Sequence, residues 1–309
     1  MPMLLAPMDH LLPAHAAFQT LLEDLAGSFQ PQHDKPDETP ESVLKALWFH
    51  AVGSPMSIKR INGSLLPPID DGALDALKAL VARKRDGVPL AHITGRQDFM
   101  GLELLAGPEA LIPRKETEIL GRAAVAFLEK IPSSKSLLVI DVCTGSGNLA
   151  LACAHHEPRA RVFGADLSHK AVALARRNAL FTGLEGRVEF RAGDLFGPFD
   201  GSELVGACDL VSCNPPYISS PKVPKMPSEI SAHEPWLAFD GGAIGMSVLN
   251  RLFADAGRFL KPGGALCFEL GLGQGPVLES RLRRLPWVAE VHAHRDAGGA
   301  VRALTAIAR

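Results

Sequence analysis

Apolar positions along the chain follow two different periods. Up to about residue 87 they recur at helical spacing. Leu11, Leu12, Phe18, Leu21, Leu22 and Leu25 share one face, and Gly27 supplies a stop. The polar stretch 30–40 carries three prolines and reads as a linker. Beyond it, Leu44, Leu47 and Trp48 form one apolar face, and Leu74, Leu77, Leu80 and Val81 form another. This spacing predicts a small helical domain over residues 1–87, whose first 40 residues are an extra helix plus linker. Residues 88–135 read as a bridge with short strand-like runs at 91–94 and 102–105.

From Ser136 the pattern changes to short apolar runs alternating with helical stretches. Strands are expected at 137–141, 161–166, 188–192, 208–212 and 265–270. A closing antiparallel hairpin, 287–294 with 301–308, turns through Asp296-Ala297-Gly298-Gly299. Ser168 is placed to cap the helix that follows the second of these strands. Strands alternating with helices imply a parallel sheet covered on both faces. The expected fold is therefore α/β: a seven-stranded Rossmann-like sheet over 136–309, with a helical domain before it.

Composition narrows the function classes. The net charge of -2 lacks the basic surplus typical of nucleic-acid binders, so nucleic acid is an unlikely direct substrate. Five cysteines without a C-x-x-C pair suit a reducing compartment and offer neither a disulfide framework nor a zinc site. No histidine cluster has metal-ligand spacing, and no metal is expected. The amino terminus does not read as a signal sequence, lacking a charged region followed by an apolar one, and no stretch has 18 uninterrupted apolar residues. A cytosolic monomer is the expectation.

Candidate chemistry begins where the first strand of this region hands over to a helix. Asp141-Val142-Cys143-Thr144-Gly145-Ser146-Gly147 places glycines where backbone must approach a ligand closely. Gly145, Gly147 and Ala150 also satisfy the dinucleotide fingerprint, so a nicotinamide enzyme is a rival on this segment alone. Asp166 ends the second strand, 25 positions after Asp141, where a carboxylate can take both hydroxyls of an adenosine ribose. Asp194 and Leu195 follow the third strand, placed to meet an adenine. Asp141, Cys143, Thr144, Gly145, Ser146, Gly147, Asp166, Asp194 and Leu195 are thus the candidate cofactor residues, with Asn214 beside them.

Asn214-Pro215-Pro216-Tyr217 follows the fourth strand directly, at the edge where open α/β folds bind ligands. At ordinary residue frequencies this tetrapeptide occurs by chance in roughly one chain per thousand of this length. Tyr217 is the only tyrosine in the sequence. The residue types suit a planar nitrogen, whose delocalised lone pair is a poor nucleophile. The Asn214 amide oxygen can accept one N–H, and the Pro215 carbonyl is a rigid second acceptor. Tyr217 offers a π face to the methyl of a sulfonium donor. These four residues are the candidate catalytic and substrate-binding set, and S-adenosylmethionine is the cofactor they imply.

With both motifs in hand, the chain resembles the protein glutamine-N5 methyltransferases, the release-factor branch above all. The resemblance runs from about Ser42 to the carboxyl terminus. It includes residues 83–95, Leu111-Ile112-Pro113-Arg114-Lys115-Glu116-Thr117-Glu118, residues 141–147 and 211–218, His233-Glu234-Pro235 and Gly241-Gly242. It implies a helical amino-terminal domain that helps bind a translation factor, and a target glutamine in a Gly-Gly-Gln tip held by the Asn-Pro-Pro-Tyr motif. It raises Arg114 and Glu118 from bland helix-start residues to organisers of the site wall, with Arg114 facing substrate. Cys143 stands where release-factor enzymes usually carry glycine, as in the sister enzyme that methylates a ribosomal protein; the change costs little if φ there is negative. Leu195 replaces a residue often aromatic in relatives. Methylation of a ribosomal protein, a nucleic-acid amino group or a small molecule remains open at this point, as does a non-catalytic nucleotide-binding protein.

Overall fold

The computed structural model describes residues 11–32, 34–132 and 136–309, with side chains from residue 16 onward. The expected contributions of Leu11 and Leu12 to the first apolar face lie outside the described side chains, and residues 1–10 lie outside the described residues. The chain divides into two compact units, Met1–Asp98 and Phe99–Arg309.

The first unit is helical: α1 (Leu11–Ser28), α2 (Pro40–Ala51), α3 (Ile58–Ile61), α4 (Asp71–Arg85) and α5 (Leu90–Thr94). Helix α2 starts on a reciprocal cap. The Thr39 hydroxyl accepts from the Ser42 amide at 3.1 Å, and the Ser42 hydroxyl accepts from the Thr39 amide at 2.8 Å. Leu44, Leu47 and Trp48 bury against Leu77 and Val81, as the helical faces require, whereas Leu74 and Leu80 are only partly covered. The strand-like run at 91–94 is corrected to a helix. Leu90 and Ile93, three apart, both bury in this core, and Gly95 closes the turn with a left-handed φ of 68°. That packing carries the helical unit past residue 87 to Asp98.

The division falls within β1 (Arg96–Phe99). The second unit then runs β2 (Leu102–Leu105), α6 (Thr117–Glu129), β3 (Leu137–Val142), α7 (Asn148–His156), β4 (Ala160–Asp166), α8 (His169–Thr182) and β5 (Val188–Ala192). It continues with β6 (Cys208–Cys213), α9 (Ser228–Ser231), α10 (Ser247–Phe259), β7 (Leu260–Glu269), α11 (Gly275–Leu282), β8 (Val288–Arg295) and β9 (Val301–Ala308). Seven strands form one sheet in the order β5-β4-β3-β6-β7-β9-β8. Strands β3 to β7 pair in parallel, and β9 runs against both of its neighbours.

Alternation along the strands feeds two cores, one on each face. Val139, Val162 and Leu210 pack with Leu120, Leu149 and Val172 from α6, α7 and α8. Ile140, Val142 and Val211 pack with Leu252, Phe253 and Leu278 from α10 and α11. Cover on both faces explains why these strands are nearly continuously apolar. The chain leaves β3 toward β5 on one side and returns to β6 on the other. The switch point between β3 and β6 opens a crevice at the carboxyl ends of the strands, the ligand position of this fold class.

Candidate active site

The turn after β3 is held from behind. Asp141 is fully buried, accepting from the Ser212 hydroxyl at 2.6 Å and from the Thr144 hydroxyl at 2.5 Å. Burial pushes its carboxyl up to about 6, against the pull of those two donors. Asp141, expected beside the cofactor, stands behind the cleft lining, where its two oxygens hold the turn and β6. Cys143 has φ of 57°, so its condition for a low backbone cost, a negative φ, is not met. Gly147 has φ of 83°, and a β-carbon there would come within 2.7 Å of the Phe190 ring. On the far side, Asn178 of α8 donates to the Ser146 carbonyl at 2.9 Å and to the Leu105 carbonyl at 3.2 Å. The turn is thus bound to its own strand, to β6 and to α8 before any ligand arrives.

Asp166, at the end of β4, accepts the Gly145 amide at 2.8 Å and the Ser168 amide at 2.8 Å. Burial raises its carboxyl above the usual range. A carboxylate has about four acceptor sites, so two backbone donors leave capacity for a pair of ligand hydroxyls. Ser168 caps α8 as expected, accepting from the Ala171 amide at 3.2 Å. After β5, Asp194 pairs with Arg251 of α10 at 2.5 Å on the surface, while Leu195 buries with a φ of 45°.

After β6, the Asn214 Nδ2 donates to Thr117 Oγ1 at 3.2 Å, leaving the amide oxygen as the end available to a ligand. Pro215 is buried beneath. The Tyr217 hydroxyl donates to Glu269 Oε1 at 3.0 Å, and its ring packs on the core around α10. Glu269 is buried at the end of β7, and burial lifts its carboxyl to about 7. Arg114 forms a buried ion pair with Glu234, which also accepts the Ile112 amide at 2.9 Å. This pair fastens the segment before α6 to the loop between β6 and α10. Glu118 is buried on α6, pairing with Arg122 at 2.7 Å and Lys115 at 3.1 Å.

Together these segments enclose one cleft above the switch point. Of the residues singled out from sequence, Arg114, Cys143, Thr144, Gly145, Ser146, Asp166, Asp194, Leu195, Asn214 and Pro216 line it. Asp141, Gly147, Pro215 and Tyr217 do not; they stand behind the lining and hold it. Tyr217 in particular is tethered by its hydroxyl rather than offered as a free face. Thr117, Ser168, Leu237 and Arg251 also line the cleft and were not assigned to it from sequence. Thr117 had a signal in the Pro-Arg-x-x-Thr-Glu segment. Arg251, a surface arginine on an amphipathic helix, had none.

A doubly wound sheet with a glycine turn after its first strand, an acid after its second and Asn-Pro-Pro-Tyr after its fourth defines a Rossmann-like methyltransferase. Residues 117–230 match the family described as the methyltransferase small domain. The release factor glutamine methyltransferase of Mycolicibacterium smegmatis is 42% identical over 75% of this chain and 77% of its own. That of Moorella thermoacetica is 36% identical over 76% of this chain and 79% of its own. The chain belongs to the release factor glutamine methyltransferase family. Among solved structures, the hMettl16 catalytic domain covers 74% of this chain and 81% of its own at a TM-score of 0.52 and 16% identity, a likeness of fold alone. No described helix is long and apolar enough to cross a membrane.

Proposed function

We propose that this enzyme transfers the methyl group of S-adenosylmethionine to the side-chain nitrogen of a glutamine in a peptide chain release factor, the glutamine of a Gly-Gly-Gln tip. The observation that carries the reading is the set of Asn214, held at its nitrogen by Thr117, beside Pro216 in the cleft. The relatives' name supplies the target class. Thr144, Gly145 and Ser146 line one end of the cleft as the cofactor turn, Asp166 takes ribose hydroxyls, and Asp194 with Leu195 borders the adenine. Arg114, locked by Glu234, forms the substrate-side wall.

Bound there, S-adenosylmethionine supplies an electrophilic methyl on a positively charged sulfur. The protein's task is to present a weak nucleophile to it. An amide nitrogen shares its lone pair with its carbonyl, so its plane must be fixed and its face turned toward the methyl. Asn214 Oδ1, at the cleft, is the acceptor for one amide proton, while Pro215, behind the lining, stiffens the backbone that carries Asn214 and Pro216. As positive charge develops on nitrogen that hydrogen bond strengthens, which lowers the barrier by orientation and electrostatics. No strong base is needed before transfer, because the proton becomes acidic only afterwards. The helical unit contributes to recognition of the protein partner, and the enzyme acts as a cytosolic monomer.

Purified enzyme supplied with labelled cofactor and, separately, a release factor, a ribosomal subunit and RNA tests the reading. Label on release factor alone is expected. Asn214→Ala should lose at least about two orders of magnitude in kcat, the scale of one lost transition-state contact, while cofactor affinity measured by calorimetry stays near wild type. Unchanged turnover in that variant contradicts the assigned role.

A further inference from the structure

We infer that the Arg251 guanidinium is the face on which the cofactor's adenine stacks, and that the ion pair with Asp194 fixes its plane. The inference rests on the reading of Asp194 and Leu195 as the adenine end of the cleft, and adds a residue to that end. Among the described residues, no aromatic side chain lines the cleft. Phe196, next to Leu195 in the chain, turns into the core instead and stacks on Phe259 with ring centroids 4.6 Å apart. Leu195 and Val248 offer aliphatic cover to a purine ring but no electrostatic attraction to its π face. The planar cation beside Asp194 is Arg251, which lines the same cleft.

Helix geometry brings Arg251 there. Helix α10 buries Leu249, Leu252, Phe253 and Ala256 in the core. Val248 and Arg251, three residues apart, share the face that borders the cleft. Arg251 Nη2 donates to Asp194 Oδ2 at 2.5 Å. A carboxylate meets a guanidinium through its N–H groups, which lie in the plane of the group. The pair therefore orients the plane without covering its faces. Guanidinium is also more weakly hydrated than an ammonium, so it gives up water for a ring at lower cost.

The rival role for Arg251 is a grip on the cofactor's carboxylate. Asp194 opposes it, because its charge already neutralises the guanidinium where the two side chains meet. A π face needs no such free charge and is attracted to the cation even while the carboxylate stays in place. Asp194 is then a positioning residue that acts on the adenine through Arg251. Both partners are half-exposed, and a pair of this kind adds little to stability, so its loss should be felt in binding rather than in folding.

The test is calorimetric binding to the full chain of two probes, S-adenosylhomocysteine and methylthioadenosine. The second keeps the adenine and ribose but lacks the amino-acid end. Arg251→Ala should weaken both probes by the same factor, roughly fivefold to thirtyfold. Its thermal midpoint should stay within about 2 °C of wild type. Arg251→Tyr, planar without the charge, should recover more of the affinity than Arg251→Lys, charged without the plane. Asp194→Ala should weaken both probes less than Arg251→Ala does, and should add no further loss to Arg251→Ala, since it acts through that residue. Loss confined to S-adenosylhomocysteine, wild-type affinity in Arg251→Lys, or additive losses in the double variant overturns the inference. Failure of the wild-type enzyme to bind S-adenosylhomocysteine overturns instead the cofactor reading on which it rests.

Discussion

Cys143 carries its side chain in a left-handed backbone conformation, with φ of 57°. An L-residue there costs about 1–2 kcal/mol, and the extra freedom glycine gains when unfolded takes back about 0.5–1 kcal/mol. Cys143→Gly is therefore expected to raise stability by up to about 1 kcal/mol, read as a shift in urea midpoint; a clear fall shows that thiol packing outweighs the backbone. Burial also sets a pH dependence. Asp141 and Glu269 are held near 6 and 7, above the ordinary carboxylate range. From about pH 4 to 6 for Asp141 and about 4.5 to 7 for Glu269 the native state keeps protons that the unfolded chain has released, so their contribution to stability falls as pH rises through those windows. Relative to Glu269→Gln, wild type should lose about 3 kcal/mol from pH 4.5 to 8. A constant difference across that range contradicts the raised carboxyl. At this scale most residues lining the cleft were legible because motif chemistry is local. The supporting contacts were not: the Ser212 hydroxyl that holds Asp141 comes from another strand, 71 residues away.

The turn joining β3 to α7 makes a sharper prediction than any single contact in it. Gly145 and Gly147 are both left-handed, with φ of 56° and 83°. A β-carbon at Gly145 meets nothing within 4 Å, whereas at Gly147 it would strike Phe190 at 2.7 Å and Ala175 at 3.2 Å. Gly145→Ala should cost about 1 kcal/mol of strain, and Gly147→Ala should add overpacking for about 3 kcal/mol in all, with weakened cofactor binding. Thermal unfolding of both variants checks this order, and equal losses contradict the crowding behind Gly147. Strands and helices of the second unit were readable from alternation and length, including the cap at Ser168. The failure at 91–94 has a physical cause. Four residues are too few to separate a period of two from one of 3.6, and Leu90, the partner of Ile93, fell outside the run considered.

For the molecule as a whole, the decisive feature is strand order. The switch between β3 and β6 brings the ends of β3, β4, β5 and β6 to one edge, so that motifs spread over residues 143 to 216 line a single cleft. Sequence gave the strands in series, and the rule that ligands sit at the switch point of an open parallel sheet made the meeting of their ends foreseeable. The resemblance also pointed to Arg114 as an organiser of the wall, but not to its partner. The Arg114–Glu234 pair joins positions 120 residues apart, and only the folded chain reveals that each neutralises the other. Likewise, the choice of glutamine over another planar nitrogen comes from kinship with the relatives rather than from Asn-Pro-Pro-Tyr alone. The most direct test is mass-spectrometric peptide mapping of a release factor after incubation with the enzyme and S-adenosylmethionine. One added methyl group on the glutamine of the Gly-Gly-Gln tip, absent when Asn214→Ala replaces the enzyme, is the predicted result. An unmodified glutamine with methylation on a ribosomal protein or on RNA instead would contradict the account.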